Sequence, residues 1–518
     1  MKKVIYLIAL LFLSVSVQAQ LISSISSQKC FGGTDEELNP SIVKTADGGY
    51  AMACWAISTN GDLTANKGSY DIWVTKLNSV GVITWQKNYG GSGRDQSFKI
   101  IQLKNGGFLV SGHTLSNDGD ISGLHAAQDG LLMKIDPNGV LVWTKCYGGT
   151  GEDELFSVNE TTDGKFIAVG YTNSADGQVT GNHGMKDLWI IKTDSNGKLL
   201  WQKCYGGTLD DMAYATCLAT SVNNFFVVGT TASSDGNLTA NKGGYDAWML
   251  KIDSSGAILN SINNGGAADD AWRDVIATND AGCATIGDTK SNTVDVSGNH
   301  GAQDIWCGKY NSTYTFSWGV CIGGTASEIG TTIIQLSDNS YSICGYGNST
   351  DLDFLGTHGA NDAVIGLVSQ TGVLRGTKCY GGGFSEVSSC LVNDGGSATI
   401  GTYTMVCTTG SNNLDVSGNH GANDIWFVKL SVALGMIHPS HFNEVKVYPT
   451  PINSELNIET DFESFNYSLM DINGKNLVEN AQHFNKSLTI QCGDMKPGIY
   501  VLTLEHDSNK AIYRIVKQ

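Results

Sequence analysis

The chain has 518 residues, with 64 glycines, 6 prolines and 13 cysteines, and its 50 acidic side chains outnumber 32 basic ones for a formal net charge of −18. That acidity argues against nucleic acid and against anionic membrane as partners, because both select a cationic face. Abundant glycine beside scarce proline suits many tight turns between strands.

The first residues read as a secretory leader. Lys2 and Lys3 precede an apolar run from Ile5 to Leu13, and Val17-Gln18-Ala19 has the small-x-small pattern that predicts cleavage after Ala19. The run is short for the ~20 residues that span a bilayer, and no later stretch is apolar enough to span one. Without residues 1–19 the balance is 30 basic against 50 acidic residues, or −20.

Residues 20–430 contain seven copies of one unit. A glycine pair recurs at Gly32-Gly33, Gly90-Gly91, Gly148-Gly149, Gly206-Gly207, Gly265-Gly266, Gly323-Gly324 and Gly381-Gly382, in steps of 58 or 59 residues. Periods of this size mean a propeller, solenoid or array. After each pair comes an alternating apolar stretch, a turn such as Asp47-Gly48-Gly49, a second stretch and a polar loop of about a dozen residues. A third strand then opens on an aspartate (Asp71, Asp129, Asp187, Asp246, Asp304, Asp362, Asp424), and a turn such as Asp136-Pro137-Asn138-Gly139 leads to a fourth. Four such strands make one propeller blade.

The ends predict how the array closes. Ile25–Phe31 matches the fourth strand of other copies, whereas the last copy stops after its third strand, Asp424 to Leu430. The first strand is therefore expected to complete the seventh blade and remove the free edge; an open stack would not need this split unit. Five cysteines (Cys30, Cys146, Cys204, Cys321, Cys379) share one repeat position. Equivalent positions lie a blade apart, too far for the ~5.5 Å Cα separation of a disulfide, so buried free thiols are expected. Tryptophans on third strands (Trp73, Trp189, Trp248, Trp306, Trp426) and fourth strands (Trp85, Trp143, Trp201, Trp318) are expected to pack blade against blade. The turn Asp136-x-x-Gly139-x-x-x-Trp143, repeated as Asp194, Gly197 and Trp201, resembles that of pyrroloquinoline-quinone-type propeller repeats. The likeness supports a propeller and carries over no cofactor.

Residues 431–442 fit no repeat and read as a linker, and 443–518 form a module of short strands. Val447-Tyr448-Pro449-Thr450-Pro451, Asp471-Ile472-Asn473-Gly474-Lys475, Gly498-Ile499-Tyr500 and a basic ending follow in order. The module resembles the type A C-terminal sorting domain of the type IX secretion system of Bacteroidetes, with Thr450 in place of the usual asparagine. The resemblance implies a small β-sandwich, engagement of the type IX machinery through Tyr448, Pro449, Pro451, Gly474, Lys475, Gly498 and Tyr500, and a destination outside the cell, released or anchored at the outer-membrane surface.

Two positions keep their charge in every copy, both on the face that carries the long loops. An acid follows the second glycine by four residues: Glu37, Asp95, Asp153, Asp211, Asp270, Glu328 and Glu386. Lys67, His125, His183, Lys242, His300, His358 or His420 precedes the third-strand aspartate by four. They form the candidate ligand face, although for the histidines and lysines the favoured role is a structural bond to a nearby acid, repeated because the blade is repeated. Lysine in two copies speaks against metal ligation, since an ammonium is no ligand. A further acid or amide (Asp62, Asp120, Gln178, Asn237, Asp295, Asp353, Asp415) suits an Asx-type turn; calcium is conceivable there, but the D-x-D-x-D-G ladder is absent. No nucleophile–base pair, phosphate-cradling loop or C-x-x-C pair occurs, so no catalytic residue, metal or cofactor is assigned. The expectation is a non-enzymatic binding or adhesion propeller for a glycan or protein. An extracellular polysaccharide hydrolase or lyase using two acids of the face, or a purely structural surface component, are the rivals.

Overall fold

The computed structural model describes residues 21–220, 223–238, 240–396, 400–434, 445–449, 451–460, 462–471, 476–506 and 509–517. The leader with Ala19, residues 435–442 of the expected linker, Thr450, and Gly474 and Lys475 of the sorting motif lie outside them. The chain divides into a large unit, Leu21–Ala433, and a small C-terminal one.

The large unit is all-β, seven sheets of four antiparallel strands. Blade 1 holds β2 (Glu37–Lys44), β3 (Tyr50–Ala56), β4 (Asp71–Leu77) and β5 (Ile83–Tyr89), innermost to outermost. Its first hairpin closes at Gly48, whose φ of 82° is the left-handed conformation glycine reaches at no steric expense. Five further blades repeat the order, their inner strands being β6 (Asp95–Gln102), β10 (Asp153–Glu160), β14 (Asp211–Leu218), β18 (Asp270–Ala277) and β22 (Glu328–Gln335). In the seventh, β1 (Leu21–Phe31) pairs outside β28 (Asp424–Leu434), which follows β27 (Ile400–Thr409) and β26 (Glu386–Gly396). The split blade is thus completed by the N-terminal strand. β28 runs to Leu434, so residues 431–434 continue a strand where the linker was expected.

Blade 7 meets blade 1 directly. β2 packs against both β6 and β26, Glu37 N donates to Asn423 O at 2.8 Å, and Asn39 N donates to Thr408 Oγ1 at 3.0 Å. Phe31, Val406 and Phe427 share one apolar cluster with Ile42, Tyr50 and Trp73.

The third-strand tryptophans Trp73, Trp189, Trp248, Trp306 and Trp426 are at most 1% exposed and fill the layers between sheets. The fourth-strand tryptophans instead reach the next blade. Trp85 Nε1 donates to Pro137 O at 3.1 Å and Trp318 Nε1 to Gln370 O at 3.1 Å. The Trp85 ring lies so close to Gly139 that a Cβ there would come within 2.8 Å of it. In the resembling turn, therefore, the glycine of one blade receives the tryptophan of the blade before it. All thirteen cysteines are free, and burial pushes the thiols of Cys30, Cys146, Cys204, Cys321 and Cys379 up to about 12, which keeps them protonated and inert.

The C-terminal unit is a β-sandwich. A three-stranded sheet of β29 (Lys446–Tyr448), β30 (Glu455–Glu459) and β33 (Ser487–Gln491) faces a four-stranded one of β32 (Asn476–His483), β31 (Phe465–Asp471), β34 (Gly498–His506) and β35 (Asn509–Lys517). Leu456, Ile458, Phe465, Leu469, Leu502, Leu504 and Ile515 form the core between them. Of the sorting motif, Tyr500 is buried and donates to Lys496 O at 2.8 Å, Tyr448 is half-exposed at the end of β29, Pro451 is exposed and Gly498 opens β34. Among the described residues no helix is long and apolar enough to cross a membrane.

Candidate functional site

The seven constant acids have no surface to offer a ligand. Glu37, Asp95, Asp153, Asp211, Asp270, Glu328 and Glu386 are at most 1% exposed. Each accepts from the backbone N of the second glycine of its pair, as Gly149 N does to Asp153 Oδ2 at 2.8 Å and Gly382 N to Glu386 Oε2 at 2.7 Å. Asp153 also takes Thr172 Oγ1 and Ser174 Oγ, and Asp95, Asp211 and Asp270 repeat that set. Burial raises the carboxyls of Glu37, Asp95, Asp153, Asp211 and Asp270, and these bonds pull them back down. They pin the glycine-pair connection to the inner strand.

The histidines and lysines belong to the same framework. His125, His183, His300 and His420 place Nδ1 2.6 Å from Oδ2 of Asp129, Asp187, Asp304 and Asp424; His358 stands 3.2 Å from Asp362. Lys67 and Lys242 bond their aspartates through the backbone N alone, at 2.7 and 2.9 Å, and send the ammonium to Asp120 and Asp295 of the following blade. The loop position proposed for an Asx-type turn clips the first glycine: Asp120 N donates to Gly90 O at 2.9 Å, and Gly90 N donates to Asp120 Oδ2 at 3.2 Å. Among the described residues no group of three or more His, Cys, Asp or Glu has a metal-holding arrangement.

The copies stop being equal at the axis. Every inner strand carries a β-bulge three residues after its acid, seen as a register shift in all seven first pairings. A bulge re-aims a side chain. Here it turns Pro40, Phe98, Phe156, Tyr214, Arg273, Thr331 and Ser389 into a central tunnel of about 120 Å³, next to Ser41, Lys99, Ser157, Ala215, Asp274, Thr332 and Cys390. Phe98, Phe156 and Tyr214 form a continuous aromatic wall with centroids 4.8 and 5.6 Å apart. Arg273 lies 5.3 Å over the Tyr214 ring.

At the long-loop end a rim of cross-strand pairs surrounds the opening: Leu38 with Trp55, Gln96 with His113, Glu154 with Tyr171, Met212 with Thr230, Ala271 with Asp288, Ile329 with Tyr346 and Val387 with Thr408. Tyr70 donates to Glu36 Oε2 at 2.6 Å and stands edge-on to Trp55. Glu154 accepts from Gln128 Nε2 at 2.7 Å and from Tyr171 OH at 3.0 Å, and burial raises its carboxyl. Burial, with the Arg94 charge second, lowers His113 to about 4, so its ring is neutral at physiological pH. A pocket of about 420 Å³ opens between blades 4 and 5, lined by Met212, Tyr214, Tyr245, Asp269, Arg273 and Lys290 among others.

None of these rim or tunnel residues is among the candidates the sequence offers, which are positions that stay constant. The available signal was the opposite one: the residues one and three places after each first-strand acid change chemical kind from copy to copy.

Residues 446–518 match the family described as the secretion system C-terminal sorting domain. They form the sandwich described above, so the chain carries a type IX sorting module behind a propeller. No curated protein matches the chain. Among solved structures, a protein of unknown function from Dyadobacter fermentans is similar over 79% of this chain and 99% of its own, at 11% identity and a TM-score of 0.39. A duf4221 family member from Bacteroides vulgatus covers 81% of this chain and 100% of its own, at 10% identity and 0.35. YCF48 bound to D1 peptide covers 80% and 98%, at 7% identity and 0.40. Likenesses this distant carry no functional argument.

Proposed function

We propose that the protein is an exported binding propeller that holds an extracellular ligand at the tunnel mouth of its long-loop face. The sorting module implies the type IX machinery as a partner and export to the surface or the medium. The observation that carries the binding reading is the asymmetry of the axis: repeated blades present six kinds of bulged side chain and seven different rim pairs to one opening. Aromatic rings beside fixed hydrogen-bonding groups favour a glycan over an apolar ligand.

The test is saturable binding of the full chain to immobilised glycans and matrix proteins, compared with Trp55→Ala and Tyr346→Ala. Loss of binding in these variants, with unchanged melting, is the expected result. A saturable ligand indifferent to every rim substitution refutes the reading. A hydrolase or lyase is the second reading, favoured by the raised carboxyl of Glu154 at the rim; it requires release of new chain ends from a glycan and loss of that release in Glu154→Gln.

A further inference from the structure

Resting on that reading, we propose that the pocket between blades 4 and 5 takes the carboxylate of an acidic sugar unit, held by the two terminal amino groups of Arg273. Arg273 is the single basic residue among the seven bulged side chains. Its counterparts are Pro40, Phe98, Phe156, Tyr214, Thr331 and Ser389.

Its guanidinium is oriented in advance. Nε is bonded to Asp288 Oδ1, while Gln303 Nε2 holds the other oxygen of Asp288 at 2.5 Å. The Tyr214 ring supports the plane from one side. Among the described residues Nε is the guanidinium nitrogen bonded to a protein acceptor, Arg273 lines the pocket, and a planar fork of two terminal amino groups matches a carboxylate.

The remaining polar groups point the same way, because the acids of this pocket are already engaged. Asp269 accepts from Tyr245 N at 3.1 Å and from Lys290 Nζ at 3.0 Å, and these two bonds hold its carboxyl below the ordinary range. Tyr245 OH donates to Asp210 at 3.1 Å. What is left toward the ligand is the Arg273 fork; the half-exposed Lys290 ammonium, paired with Asp269, also lines the pocket.

Met212 and Ile329, with the Tyr214 and Tyr245 rings, give the pocket apolar walls. A volume of about 420 Å³ lies in the range of about 300–1,000 Å³ typical of small-molecule sites. A ring bearing one carboxylate and several hydroxyls fits this lining better than an extended acidic peptide, which would need a groove.

The experiment is calorimetric titration of the full chain with a galacturonate trimer, a neutral galactose trimer, a sulfated galactose trimer and a glutamate-rich peptide. Saturable binding of the galacturonate trimer is expected, falling by about 30-fold or more in Arg273→Gln, less in Arg273→Lys, and weakening with added salt. Lys290→Met, at an exposed site, should weaken it and keeps the test alive if Arg273→Gln does not fold. No binding of the galacturonate trimer, or binding untouched by both substitutions, overturns the proposal. So does preference for the neutral sugar, the sulfate ester or the peptide. If a neutral sugar binds, ignores Arg273→Gln and is lost in Trp55→Ala, the acidic-sugar assignment falls while the mouth stands; if no rim substitution matters, both fall.

Discussion

Each junction between blades buries a carboxylate oxygen with no partner, and this sets up a test in which removing a charge stabilises the ring. Oδ1 of Asp71, Asp129, Asp187, Asp246, Asp304, Asp362 and Asp424 is buried and unbonded. At the first junction Asp71 Oδ2 accepts from Lys67 N, while a Cβ on Gly90 would lie 2.3 Å from Asp71 Oδ1 and 2.8 Å from Asp95 Oδ2. Two carboxylates thus flank one glycine. Burial first, with the Asp95 charge adding to it, raises Asp71 from 3.8 to about 6, and Asp246, at the other junction with a lysine, likewise to about 6.

For a carboxyl whose folded pKa lies above its unfolded one, the folded state holds more protons between the two values. Stability is then full below about 4 and falls as pH rises through about 6. By neutral pH the ionised Asp71 costs on the order of 2–3 kcal/mol, taking about 1.4 kcal/mol per pH unit. Asp71→Asn keeps an oxygen for Lys67 N and puts an amide donor where Oδ1 was, beside the Asp95 carboxylate. At pH 7.5 it should be more stable than the wild type by about 1–3 kcal/mol, a rise of a few degrees in Tm, and the gain should vanish at pH 4. Differential scanning calorimetry of both proteins at the two pH values measures this. A loss of stability at pH 7.5, or a difference independent of pH, would refute the picture of an orphaned, destabilised carboxylate.

Two other expectations concern the same face. Val294, Leu352 and Leu414 have φ of 62°, 52° and 55° and are 72%, 54% and 67% exposed, where four other copies have Gly61, Gly119, Gly177 and Gly236 at φ of 63–70°. Each change to glycine relieves about 1 kcal/mol of left-handed strain, offset partly by a freer unfolded chain, and thermal melts should move up or stay level; a clear drop would mean these side chains are held by contacts. Asp153→Ala strips the acceptor from Gly149 N, Thr172 and Ser174, so chemical denaturation should register a loss of about 3 kcal/mol or more. A near-neutral result would return that acid to the pool of ligand groups.

The architecture was legible because it rests on local, repeated signals. Glycine pairs, turn residues and the mismatch between Ile25–Phe31 and the truncated last copy sufficed for seven blades and their closure. The proposed ligand site was not legible in the same way. Constancy of Glu37 or His125 across copies marks a bond every blade must make, buried for Glu37 and exposed for His125, and such constancy says nothing about a ligand.

What the sequence by itself determined is the blade, the split seventh unit and the sorting module, because each depends on spacing along the chain. Only the tertiary structure decided which side chains meet at the axis. Seven bulges, each 58 or so residues from the next, converge on one tunnel only once the ring is closed, and there Arg273, Tyr214 and Asp288 become neighbours. No pattern within a single copy contains that encounter, because Arg273 and Asp288 share the first hairpin of blade 5 while Tyr214 comes from blade 4.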